Sequence, residues 1–202
     1  ALAILAPFVW RDAVAMSHVV RREWRLIVGL GATGIAAFQT LVYVALQSTT
    51  ATNALLTLSL APIAILAGAV LIGAERPAAR QLAGALVSIF GAAILITRGE
   101  IATVAAAGFN SGDLWMLLGV AIFAVYSLLL RRRLVDLPVG VALAGSIAVA
   151  RVLLAPVAAL TAATDLAAFR SASVLLGVGY VAVFSSVVAF LFWTYGVSQL
   201  GP

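Results

Sequence analysis

Six apolar stretches of about 20 residues follow one another almost without a break, and no other property restricts the fold so strongly. They run at roughly 25–47, 53–74, 78–97, 112–131, 139–162 and 174–198, and residues 1–10 form the tail of another. An α-helix rising 1.5 Å per residue needs about 20 apolar residues to cross the hydrocarbon of a bilayer. Hydrophobic residues make up 64% of the 202 and charged residues only 9%. A soluble domain is closer to half apolar and a quarter charged, so the solvent here is lipid. Lipid offers no partner to an open backbone, which leaves helices or a closed barrel. The polar–apolar alternation of a barrel strand is absent. The chain is therefore expected to be an all-α, polytopic membrane bundle.

The charges orient it. All twelve basic residues are arginine, and eleven fall in loops or at helix ends. Alternate loops carry Arg11, Arg21, Arg22 and Arg25, then Arg76 and Arg80, then Arg131, Arg132 and Arg133; the opposite loops carry only Arg98 and Arg170. Positive loops stay in the cytoplasm, so the first set is expected inside. The span at 25–47 then runs outward and the span at 174–198 runs inward. The net charge of +5 is accounted for by this pattern and does not point to nucleic acid. The all-arginine basic set points to a high-GC bacterial gene and hence a bacterial inner membrane.

An echo divides the chain in two. Leu5-Ala6-Pro7 returns as Leu154-Ala155-Pro156, and each triplet is followed by a polar loop and a span opening on spaced glycines, Gly29 and Gly31, then Gly177 and Gly179. With the opposite directions of those spans, this implies two inverted-topology repeats, a hallmark of secondary transporters. The repeats are expected at 1–97 and 112–202, joined by the loop 98–111. The turn residues Asn110 to Asp113 are expected to be exposed and without chemistry. The chain begins inside an apolar run without methionine, and it is expected to be part of a longer protein.

Ser59-Leu60-Ala61-Pro62, Gly73-Ala74-Glu75-Arg76, Gln81-Leu82-Ala83-Gly84-Ala85 and Gly91 resemble the fourth and fifth helices of an EamA-like member of the drug/metabolite transporter superfamily. Arg151-Val152-Leu153-Leu154-Ala155 resembles the arginine-start pattern of that family's second and seventh helices, and Tyr43-Val44-Ala45-Leu46 the end of its third. Leu2 stands where the first repeat would match Arg151, so the arginine is not duplicated. The resemblance covers essentially the whole chain. It implies ten helices in two inverted five-helix repeats, of which about 6.5 are present, from the end of the second to the eighth. It implies transport of a small metabolite, with aromatic-amino-acid exporters among the relatives.

Several side chains at membrane depth invite two readings each. Gln39, Tyr43 and Gln47 recur every fourth residue and share a helix face. The deep Gln39 amide needs partners; it either glues helices together or lines a cavity, whereas Tyr43 and Gln47 approach the outer surface, where they either anchor at the interface or extend that wall. Thr57 lies one turn beyond Asn53, with Ser59 and Pro62 further in. Pro62 either kinks a packed helix or frees a carbonyl for substrate. Ser186, Phe190 and Trp193 fall on one face at i, i+4 and i+7, either as packing or as the mostly apolar wall of a small-molecule site. Tyr126 lies on a comparable stripe with Trp115 and Gly119. Arg151 is the one charge inside a span, and it serves either as a clamp on backbone carbonyls or as an anion site. Small residues at every fourth position, Gly29-Thr33-Ala37 and Gly84-Ser88-Ala92, are expected to pack against neighbouring helices.

Catalysis finds no foothold. The lone His18 lies in a loop, and the seven acidic residues lie in loops or at helix ends. There is no lysine for a nucleotide loop and no cysteine for a thiolate site. No metal or other cofactor is expected, and these helices are expected to hold no proton relay. The function expected is export or exchange of a small metabolite, such as an amino acid, by alternating access through a midplane cavity. Its wall would use Gln39, Tyr43, Thr57, Tyr126, Arg151, Ser186, Phe190 and Trp193. The partners expected are that substrate and the lipid bilayer; the oligomeric state is left open. The alternative is a non-transporting scaffold whose polar residues only hold helices together.

Overall fold

The computed structural model describes residues 17–73, 78–97, 110–133, 139–162 and 171–200. Among them every regular element is a helix. A short α1, Ser17–Arg22, precedes α2, Trp24–Ala45. The next span is broken into α3, Ala51–Leu58, and α4, Ala61–Leu71. Then follow α5, Ala79–Thr97, α6, Ser111–Arg133, and α7, Val139–Ala162. The last helix, α8, covers 172–200. Five of the spans are long and apolar enough to cross a membrane: α2, the α3–α4 pair, α6, α7 and most of α8.

The helix ends show why the sequence folds this way. Thr50 caps α3, its hydroxyl oxygen accepting from the Asn53 N–H at 3.2 Å. The α3–α4 break falls at Ser59–Leu60, just before Pro62 in the first turn of α4, where a missing N–H leaves nothing unsatisfied. α4 stops at Gly73, whose φ of 64° is the left-handed conformation only glycine adopts without strain. α5 restarts with the Gln81 side chain accepting from the Ala78 N–H at 2.9 Å, half of a capping box. Gly73 and Gln81 of the family-like motif thus punctuate helices. Glu75 and Arg76, between them, lie outside the described residues.

The helices group into two compact units, one from residues up to Ala36 and from Leu129 onward, the other from Ala37–Leu128. In the first, α2 and α7 touch at Gly31, where an added Cβ would stand 2.5 Å from the Ser146 carbonyl oxygen and 2.8 Å from Val149 Cβ. Lower down, Ile27 meets Gly145. Both chains of contact ascend together, so α2 and α7 run parallel and start at the same end. This matches the arginine pattern, which puts both of their leading loops on one side.

In the second unit, Ala45, Ala54 and Met116 form a small core with Val42 and Leu58. It joins the end of α2 to the starts of α3 and α6. Ser17 and Ser111 are both exposed, and the single substitutions Ser17→Cys and Ser111→Cys are expected to behave differently on whole cells. The thiol at position 111 should react with an impermeant reagent, and the thiol at position 17 only after permeabilisation. Labelling in the reverse order would invert the orientation.

The small-residue ridges divide. Gly29 on α2 packs against Leu129, a built Cβ lying 3.5 Å from its Cδ1. Gly84 on α5 meets nothing within 4 Å, and Ser88 is exposed. Gly84 and Ser88 of the α5 ridge are therefore open, because small side chains permit close approach but do not themselves attract a helix.

Candidate functional site

Two of the spans leave the α-helical path at mid-length. Gly31–Ala37 in α2 and Val181–Val188 in α8 are π-helical. A π turn bonds i to i+5, widens the helix, and occurs mostly as short bulges inside α-helices, which are frequent at functional sites. The offset between the two Leu-Ala-Pro triplets carries 31–37 onto 180–186, within two residues of the second π segment at either end. The same departure therefore recurs at corresponding places in both repeats. Thr33 stands inside the first, its hydroxyl donating to the Gly29 carbonyl at 2.7 Å.

The candidate residues gather around these stretches in part. Gln39, half-buried, lies two residues past the first π segment. Tyr43 follows one turn later and is exposed. α2 ends at Ala45, so Gln47 lies in the following turn and does not extend their face. Ser186 lies within the second π segment, but its side chain is outside the described part. Phe190 is buried and Trp193 half-buried just beyond it.

Thr57 is half-buried, and its hydroxyl donates to the Asn53 carbonyl at 2.9 Å, leaving its lone pairs for another donor. Tyr126 is only 2% exposed. Its ring packs on Phe123 with centroids 5.8 Å apart, and Phe123 in turn packs on Phe38 at 4.9 Å. This aromatic row is core packing, not an open wall. Gln39, Tyr43, Thr57 and Tyr126 belong to one compact unit, and Arg151, Phe190 and Trp193 to the other.

Arg151 is exposed, twelve residues into α7. That is about 18 Å of helix rise, beyond the half-thickness of the hydrocarbon at about 15 Å. No carboxylate forms an ion pair with it among the described residues. Pro156 lies five residues on, inside α7. It has no N–H to give the Val152 carbonyl, the i−4 acceptor next to the arginine in sequence.

One polar cluster goes beyond the sequence expectation. Asn110 and Asp113 form a complete capping box: the Asp113 N–H donates to Asn110 Oδ1 at 3.2 Å, and the Asn110 N–H donates to Asp113 Oδ2 at 3.0 Å. The Thr49 hydroxyl donates to the other carboxylate oxygen at 2.5 Å, and Asn110 Nδ2 donates to Thr49 at 3.3 Å. Gly112 lets the two segments meet; a Cβ there would stand 2.5 Å from the Ala45 carbonyl oxygen. Asp113 is 6% exposed, so the turn expected to be open is a tie between the end of α2 and the start of α6. The Asn-x-x-Asp spacing is a usable cap signal; the pairing with Thr49 has none.

The family model of EamA-like transporters matches residues 1–97 and 110–202. The chain belongs to the EamA-like transporter family. It is a multi-pass membrane chain. It is similar to the uncharacterized transporter YyaM of Bacillus subtilis (strain 168), 27% identical over 203 residues that cover all of this chain and 66% of that protein. It is also similar to an uncharacterized transporter of Archaeoglobus fulgidus, 24% identical over 200 residues, 97% of this chain and 66% of the relative. The chain thus spans slightly less than two thirds of the length of these relatives. No solved structure matches this EamA-like chain significantly.

Proposed function

We propose that this EamA-like chain serves a transporter that moves a small carboxylate-bearing metabolite, an amino acid being the leading case, across a bacterial inner membrane by alternating access. The observation that carries this reading is Arg151, a permanently charged fork near the middle of α7, exposed and without an acidic partner among the described residues. Facing lipid it would cost at least about 2.5–3.5 kcal/mol on insertion scales. Facing a water-filled path it would meet a carboxylate in the bidentate geometry its guanidinium favours. Within the same unit the half-buried Trp193 would add apolar area. Phe190, buried in that unit, would back it without touching substrate. The paired π segments support movement at mid-span in both repeats.

Arg151→Gln in the full-length protein is expected to weaken transport of its anionic substrate about ten- to hundredfold, the loss of one charge-assisted interaction. Arg151→Lys should retain the charge and part of the activity. Transport by Arg151→Gln at the wild-type rate would remove the anion role. Loss of folded protein in both variants would favour the clamp on backbone carbonyls.

A further inference from the structure

The arginine-rich end of the first unit holds a recess that the transport reading does not use. It is a cavity of about 280 Å³ between α1, the first turns of α2 and the first turns of α7. Its floor is Val20, Ile27, Val141, Ala144 and Gly145, and Ser17 and Arg21 are the polar residues of its lining. Ile27 and Val141 form a small core here with Val20 packed on it. Gly145 keeps the floor low, since a Cβ there would press within 2.8 Å of Ile27 Cγ2.

The charges around this recess are unevenly satisfied. Arg22 is paired with Glu23 at 3.3 Å. Arg25 lies over the Trp24 ring, 5.5 Å from its centroid. Arg21 is exposed and has no acidic partner among the described residues. Trp24 is 54% exposed, and an exposed indole beside arginines marks the headgroup level of a membrane. The arginine excess puts this end at the cytoplasm, where the leaflet is anionic.

We propose that this recess binds an anionic phospholipid of the cytoplasmic leaflet, with an acyl chain on the Val20–Ile27–Val141 floor and the headgroup phosphate on Arg21. An apolar floor with a single unpaired guanidinium in its lining matches an amphiphile with an anionic head. A soluble anion would leave the floor unused, and a zwitterionic lipid would set its own cation against Arg21. Ser17 supplies a hydroxyl at the same level for a phosphate or glycerol oxygen.

The test is native mass spectrometry of the full-length protein, delipidated in detergent and titrated with phosphatidylglycerol or with phosphatidylcholine of the same acyl chains. Phosphatidylglycerol is expected to bind several-fold more tightly. Arg21→Gln should weaken it about fivefold, the worth of one arginine at an anionic surface, and leave phosphatidylcholine unchanged. Arg21→Lys should restore most of the preference. Ala144→Phe, which fills the floor, should weaken both lipids, and Arg25→Gln should weaken neither. Inorganic phosphate at equal concentration should not displace the lipid. Equal binding of the two lipids, an unchanged preference in Arg21→Gln, or displacement by inorganic phosphate would each overturn the proposal. So would a floor that chemical cross-linking finds occupied by residues 1–16 of the chain itself.

Discussion

Gly31→Leu is expected to remove most of the folded protein from the membrane. The added Cβ alone would lie 2.5 Å from a backbone carbonyl oxygen of α7 and 2.8 Å from a β-branched side chain. A backbone atom cannot rotate away, so α2 and α7 must separate. Overpacking of a tight site costs about 1–3 kcal/mol and sometimes more, whereas replacing a helical glycine recovers at most about 1 kcal/mol of propensity. The clash wins. Against a total stability of about 5–15 kcal/mol, the thermal midpoint in detergent should fall by several degrees or the protein should not accumulate. Gly84→Leu is the matched control, because a Cβ there meets nothing within 4 Å; it should leave the midpoint unchanged or slightly raised. Equal behaviour of the two variants would show that the α2–α7 contact is not tight.

Asp113→Ala is the second large effect. The substitution removes the reach-back half of the capping box, the bond from the Asn110 N–H to the carboxylate, worth about 1 kcal/mol, while Asn110 still caps the N–H of residue 113. It also strands the Thr49 hydroxyl that donates to the carboxylate, and a hydrogen bond to a charged group is worth about 1.5–3 kcal/mol. A loss of about 3 kcal/mol is expected from these two contributions. Asp113→Asn keeps the shape and one acceptor, and should lose about half as much. Thr49→Val combined with Asp113→Ala should cost less than the two single changes added, because the residues share one interaction. Strict additivity in that double-mutant cycle would mean that the tie contributes nothing. In neither Asp113 variant should any proton dependence of transport disappear, since this carboxylate serves a helix end and not a span centre.

What the sequence made legible, and what it concealed, follows from the range of the forces involved. Span positions depend on local hydrophobicity and length, and the expected 139–162 coincides with α7. The break before Pro62 depends on one missing N–H, which is also local. The capping box at Asn110–Asp113 is written in a three-residue spacing that sequence reasoning can use. Its bond to Thr49 joins residues 64 apart, and a polar turn reads the same whether it faces water or another helix. Tyr43 and Tyr126 are the same residue type in spanning helices, yet one is exposed and the other buried against Phe123. Only the neighbouring helices decide that. The π segments were not legible either, since GATGIAA and VAVFSSVV share no composition that selects i to i+5 bonding. They do fall where the repeat predicts correspondence, so the echo of Leu-Ala-Pro carried more structural meaning than any single residue.

Counterflow tests most directly whether this EamA-like chain belongs to a working transporter of small carboxylate-bearing metabolites. The full-length protein is reconstituted in proteoliposomes, loaded in turn with each of a panel of unlabelled amino acids and other small carboxylates, and diluted into a trace of the same compound in labelled form. Transient, saturable accumulation of label is expected for at least one compound, sharply reduced in Arg151→Gln at equal protein content. No counterflow for any compound by a folded, correctly inserted protein would contradict carboxylate transport and leave the scaffold reading standing.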